Sequence, residues 1–208
     1  LIYQEMKLFD KAIVYHKKSY SIRLKDKLYK DQAASLNNLG ICYRNKKEYD
    51  KAIFYFGKAI NVAEKSSNLI DYYKGKTNLG NVYFDLKKYD KAIPYLELYK
   101  GKKGKWNNTD FYQLGYAYYM QKDYENAVSQ FNKIIEGKDF VAQNAYYHLG
   151  ESYLNLDKKQ QALNAFKNAS EMDFDAAIQE DASLNYAKLS YEIGNSYQST
   201  PAVLTAFI

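Results

Sequence analysis

Apolar residues recur along this chain at helical spacing, and short polar runs interrupt them at near-regular intervals. Gly40, Gly80, Gly115 and Gly150 each follow a leucine and stand three residues before a tyrosine, Tyr43, Tyr83, Tyr118 and Tyr153. Twelve residues after each glycine comes an alanine, Ala52, Ala92, Ala127 or Ala162, and four residues further an apolar side chain, Phe56, Leu96, Phe131 or Phe166. The polar runs are "NKKEYDKAI" at 45–53, "DLKKYDKAI" at 85–93, "MQKDYENAV" at 120–128 and "NLDKKQQAL" at 155–163. This layout predicts one helix before each polar turn and a second after it. A two-helix unit returning every 35 to 40 residues predicts a stacked all-α array rather than a globular enzyme.

Within each unit the glycine is expected where the paired helices cross, because a side chain there would hold the backbones apart. The alanine of the second helix is expected to face it. The tyrosine, with the phenylalanine or leucine four residues after the alanine, is expected to fill the space between one unit and the next. Asp10-Lys11-Ala12-Ile13 repeats the start of a second helix, with His16 in the phenylalanine-like position as a packing residue. The spacing from Ala12 to Ala52 to Ala92 is 40 residues, and from Ala92 to Ala127 to Ala162 it is 35. The change falls near "YLELYKGKKGKW", where Gly101 is expected to end one helix and Asn107-Asn108-Thr109 to open the next, with Trp106 packed over the helix end.

The pattern resembles the tetratricopeptide repeat over nearly the whole chain. The resemblance implies a right-handed superhelical solenoid of antiparallel helix pairs, one array over residues 1–208. Its units are a truncated repeat at 1–24, repeats at 33–66, 73–100, 108–137 and 143–172, and a degenerate partial repeat at 180–208. In the last, Ala187 stands in for the glycine and "GNSYQSTP" stretches the turn. Residues 1–92 look like extended repeats of bacterial regulators and adaptors, and the stretch from about 93 onward like large bacterial envelope-associated repeat proteins. Departures from the family pattern are Leu36, Lys76, Phe111 and Tyr146 at its tryptophan-like position, and the missing closing proline of most units.

In this family the first helix of each unit lines a concave groove, and the residue two before the glycine points into it. That position reads Asn38, Asn78, Gln113, His148 and, in the weak unit, Asn185. Side-chain amides both donate and accept, so a row of them suits the backbone of an extended peptide; asparagine also occurs in helices without such a role. Neighbouring groove positions read Ile41 and Arg44, Asn81 and Phe84, Tyr116 and Tyr119, Glu151 and Leu154, with Tyr112 one turn earlier. Tyrosine gives broad contact area at low entropy cost, although 24 tyrosines also have to fill interhelix space. The resemblance implies a noncatalytic scaffold that binds a peptide or helix of a protein partner. Its alternative is a ligand-sensing segment of a larger bacterial signalling protein. The lysine–asparagine clamp by which some of these repeats grip carboxylate termini is not reproduced, since those places read Asn37 and Ile41, then Thr77 and Asn81.

Charge modifies this picture. Residues 1–105 hold 23 Lys and Arg against 11 Asp and Glu, whereas residues 106–208 hold 7 against 13. The first half is therefore strongly basic and the second acidic, which orients charged partners. Arginine, the usual base reader, occurs only as Arg23 and Arg44, so a specific nucleic-acid reader is not expected and only weak association through the basic half remains. His16 and His148 are far apart in sequence with no metal-ligand spacing, "GKKGK" at 101–105 lacks the rest of a phosphate loop, and no cofactor is expected. Cys42 reads as a small buried residue. No apolar run is long enough to span a bilayer, and no signal-like stretch opens the chain, which leaves bacterial cytoplasm and envelope both open. The end faces are expected to meet further repeats or a second copy.

Overall fold

The computed structural model describes residues 8–26, 28–99, 105–134 and 137–196. Among these are ten α-helices, divided between two compact units, Leu1–Lys100 and Gly101–Ile208. Unit 1 contains α1 (Phe9–Lys25), α2 (Tyr29–Asn45), α3 (Tyr49–Lys65), α4 (Leu69–Asp85) and α5 (Tyr89–Glu97). Unit 2 contains α6 (Asn108–Met120), α7 (Tyr124–Phe131) with a 3₁₀ extension at Asn132–Ile134, α8 (Phe140–Asn155), α9 (Lys159–Ser170) and α10 (Ala176–Ser196). Within each unit consecutive helices pack on one another, and α2 also touches α4, as α6 touches α8. The architecture is that of a helical-repeat solenoid. The helix α10 runs through Gly194 to Ser196, where the sequence predicts a turn; the rest of "GNSYQSTP" lies outside the described residues, as does Gly101.

The turns share one geometry. Lys47, Lys87, Lys122 and Asp157, each seven residues after a repeat glycine, have φ of 61°, 57°, 61° and 55°. One residue later the backbone N–H reaches back five residues: Glu48 to the Tyr43 carbonyl, Lys88 to Tyr83, Asp123 to Tyr118 and Lys158 to Tyr153, at 2.8 to 3.0 Å. This is the Schellman closure, which requires one left-handed residue and satisfies carbonyls that the helix end leaves over. The recurring tyrosine thus supplies the carbonyl that closes its helix. Polar residues start several of the helices: Asn107 and Asp110 form a reciprocal capping box on α6, and Asp139 accepts from the Ala142 N–H on α8. Trp106 packs on Phe111, ring centroids 5.2 Å apart.

The packing corrects two expectations. The group against the repeat glycine is the phenylalanine of the second helix, not the alanine. A Cβ built on Gly40 would stand 2.5 Å from the Phe56 ring, on Gly115 2.7 Å from Phe131, and on Gly150 2.8 Å from Phe166. These rings fill the space within a pair rather than the space between units. At Gly80, where the sequence has Leu96, the near neighbour is instead the Tyr95 Cβ at 2.6 Å. The recurring tyrosine also acts inside the pair: Tyr43 stacks on Tyr55 at 5.2 Å and Tyr83 on Tyr95 at 5.9 Å. The alanines Ala52, Ala92, Ala127 and Ala162 are fully buried, so the second helix approaches its neighbours closely at that level. Cys42 is buried and free.

Gln143 is a buried polar anchor in unit 2. Its amide nitrogen donates to the carbonyls of Met172 at 2.7 Å, Asp175 at 3.2 Å and Ala169 at 3.3 Å, while its amide oxygen accepts from the Asp175 N–H at 2.7 Å. One side chain on α8 therefore satisfies the backbone of the α9–α10 loop. That loop borders a cavity of about 440 Å³, lined among others by Tyr146, Met172 and Phe174.

Substituting Gly115→Ala drives a methyl into the Phe131 ring and is expected to cost about 1–3 kcal/mol of stability, read as a lower melting temperature by circular dichroism. Lys122→Gly removes left-handed strain from an exposed turn and is expected to raise stability by roughly 1 kcal/mol. Gln143→Ala strands several buried backbone groups and is expected to cost about 2–3 kcal/mol, whereas the exposed Gln160→Ala leaves melting unchanged.

Candidate functional site

The richest assembly of chemistry-bearing side chains lies within unit 2. Tyr112, Tyr116 and Tyr119 are spaced four and three residues apart on α6, which places them along one helix face. On the neighbouring α8, Tyr147, His148 and Glu151 meet that face. The His148 ring lies 4.9 Å from Tyr119, 5.0 Å from Tyr116 and 5.3 Å from Tyr147, centroid to centroid, with Tyr112 and Phe131 each at 6.2 Å. Tyr112 and Tyr116 stack at 5.8 Å, and Tyr124 of α7 reaches Tyr119 at 6.0 Å. The imidazole is thus surrounded by aromatic rings, with 16% of its side chain exposed.

Hydrogen bonds fix the polar ends of this cluster. His148 Nδ1 lies 2.8 Å from Glu151 Oε2. An ionised carboxylate can only accept, so Nδ1 carries the proton, and in the neutral ring Nε2 is left as an acceptor. Burial, the Glu151 charge and a hydrogen bond to that carboxylate together push the Tyr119 hydroxyl well above the usual tyrosine range. Burial and a hydrogen bond to Asp181 of α10 do the same for Tyr147. Tyr119 and Tyr147 are accordingly neutral donors, each turned to a carboxylate, and their ring faces carry the contact surface.

In unit 1 the polar groove positions are arranged differently. Asn38 and Asn78 hold equivalent places on α2 and α4, both half-buried, with Asn81 one turn further along α4. Arg44 is engaged in a bidentate pair with Asp85, Nε to Oδ2 at 2.6 Å and Nη2 to Oδ1 at 3.1 Å, which commits its charge inside the unit. Arg23 is likewise held, donating to the Asp31 carbonyl and the Ser35 hydroxyl. Asn37, at one of the clamp places, is buried and donates to the Asp71 carbonyl at 3.2 Å. His16 has its Nε2 buried without a hydrogen-bond partner, and burial above all lowers its pKa, with the Arg23 charge a smaller contribution. That environment suits a neutral packing residue.

The structure therefore gathers five residues read from the sequence, Tyr112, Tyr116, Tyr119, His148 and Glu151, into one cluster. Gln113 lies beside them on α6, half-buried. Asn185 on α10 spends an amide hydrogen on the Asp181 carbonyl. Residues not foreseen are Tyr147, Asp181 and Asp85. Each left a trace: Tyr147 adjoins His148, Asp181 stands one turn before the ladder position of the weak unit, and Asp85 lies one repeat beyond Arg44 with opposite charge. Among the described residues no group of three or more His, Cys, Asp or Glu is placed to hold a metal ion, and no helix is long and apolar enough to cross a membrane.

Comparison with known proteins agrees with the fold. The family model for the tetratricopeptide repeat matches residues 1–65, and that for anaphase-promoting complex, cyclosome, subunit 3 matches residues 85–169. None of the curated protein sequences compared with the chain matches it. Among solved structures, YrrB, described as a TPR protein with an unusual peptide-binding site, superposes with a TM-score of 0.69 at 20% identity, over 87% of this chain and 86% of that one. MamA from Desulfovibrio magneticus RS-1 gives 0.55 at 18% identity, over 77% and 94%. BtubC from P. vanneervenii gives 0.54 at 14%, over 95% and 89%. At these identities the likeness is one of fold. The two family models, the recurring glycine–phenylalanine helix pairs and these neighbours together identify a repeat protein of tetratricopeptide type.

Proposed function

We propose that this chain is a noncatalytic protein-interaction module, and that the unit-2 face built from Tyr112, Tyr116, Tyr119 and His148 takes a segment of another protein. The observation that carries this is the cluster itself: five aromatic side chains converge on one imidazole, whose Nδ1 is held by Glu151. Rigid rings with few rotatable bonds lose little entropy on binding. The imidazole adds an acceptor for a peptide N–H. Gln113 on the same helix supplies an amide that both donates and accepts. In unit 1, Asn38, Asn78 and Asn81 offer further amides at equivalent places, while Arg44 is occupied by Asp85 and contributes shape rather than free charge.

The test is a selection of displayed random dodecapeptides on the intact chain, followed by affinity measurement of the enriched sequences. The Tyr116→Ala/Tyr119→Ala variant is expected to lose about tenfold or more in affinity, as truncation of aromatic hot spots does, with its far-UV circular dichroism unchanged. Asn38→Ala/Asn78→Ala is expected to weaken binding less. Absence of any enriched peptide, or equal affinity in the double tyrosine variant, would overturn the assignment.

A further inference from the structure

The same cluster carries two carboxylates that receive tyrosine hydroxyls. Glu151 accepts from His148 and Tyr119, and Asp181 from Tyr147. Among the described residues, neither has a lysine or arginine within ion-pair distance. Several other carboxylates do: in unit 1, Asp85 is paired with Arg44, Asp71 with Lys74, and Glu48 with both Lys46 and Lys51. Elsewhere in unit 2, Glu192 has Lys159 and Glu171 has Lys167. Glu151 and Asp181 take tyrosine hydroxyls, from Tyr119 and Tyr147, where these others take a lysine or arginine.

We infer that the unit-2 face recognises the cationic side chain of an arginine or lysine within a basic peptide segment. This rests on the proposed reading of the face as a binding surface and names the chemistry of its occupant. Aromatic rings present negative faces to a cation, and Tyr119 and Tyr147 each turn a hydroxyl to a carboxylate, so ring and charge act on the same guest. Glu151 and Asp181 keep acceptor lone pairs beyond those the tyrosines and His148 use, since a carboxylate offers about four. A guanidinium or ammonium satisfies them by charge-assisted hydrogen bonds. The surrounding charge favours the same guest, because residues 106–208 carry 13 acidic against 7 basic side chains and draw basic segments in at low salt. The protein itself shows this contact in unit 1, where Lys76 Nζ lies 5.2 Å from the Tyr72 ring centroid and 5.6 Å from that of Tyr95.

The experiment uses four pools of acetylated, amidated nonapeptides, with random uncharged residues flanking a central Arg-X-Arg, Lys-X-Lys, Ala-X-Ala or Glu-X-Glu, measured by fluorescence anisotropy against the intact chain. The arginine and lysine pools are expected to bind, arginine the tighter if stacking contributes. Citrulline in place of arginine leaves the protein untouched and is expected to weaken binding roughly tenfold. Glu151→Gln and Asp181→Asn, near-isosteric changes that keep a hydrogen-bond acceptor, are each expected to weaken the arginine pool several-fold without lowering the melting temperature. Raising salt from 50 to 300 mM weakens it further. If the alanine pool binds as tightly as the arginine pool and Tyr116→Ala abolishes both, the charge assignment is overturned while the binding face stands. If no pool binds, both are overturned, and preference for the glutamate pool or indifference to Glu151→Gln and Asp181→Asn sinks the cationic guest alone.

Discussion

A phenyl ring lying directly on a glycine backbone is the contact on which the helix pairs of this protein depend. Burying a phenylalanine contributes about 2–3 kcal/mol, but only if the opposing helix leaves room for the ring. Gly40, Gly115 and Gly150 leave that room to within an ångström or so, since any Cβ would collide with Phe56, Phe131 or Phe166. The approach brings the tyrosine three residues beyond the glycine close to the second helix, where Tyr43 and Tyr83 stack on Tyr55 and Tyr95. The same tyrosine's carbonyl then accepts the bond that closes the turn. Ring, stack and turn thus follow from one absent side chain per repeat.

The face that this arrangement presents is set by what remains on the first helices. Once the glycine side of a first helix is given to its partner, residues spaced by three and four on another side form a continuous stripe. In unit 2 that stripe is tyrosine on α6 and histidine with glutamate on α8, and the two meet. In unit 1 it is asparagine, with an arginine–aspartate pair between α2 and α4. The units share a scaffold and differ in surface chemistry, which is the general condition for one fold to serve several partners.

The helix pairs were legible because the glycine, tyrosine, alanine and phenylalanine recur in register, and each has one packing consequence. The helix opening at Asn107 was equally readable from local capping chemistry. What sequence could not assign was direction across the pair. Periodicity places Phe56 and Ala52 on the same helix face, and only three-dimensional packing decides which of them meets Gly40. For the site, register carried Tyr112, Tyr116, Tyr119, His148 and Glu151 into one cluster. Asp181 and Asp85 escaped because their roles depend on partners 34 and 41 residues away, a relation that no local spacing encodes.

Gln143 illustrates how such distant relations shape what a repeat protein can change. The path of the chain between α9 and α10 is dictated by an amide on α8, which holds the loop through its backbone alone. Among the loop's own side chains, Asp175 opens α10 by accepting from the Ala177 and Ile178 N–H groups, while those before it have less part in setting its path. Glu171, Asp173 and Phe174, which border the adjoining cavity, can be exchanged without moving the backbone that carries them. The rim of that cavity is a place where new specificity can be written onto a frame whose instructions are stored elsewhere in the sequence.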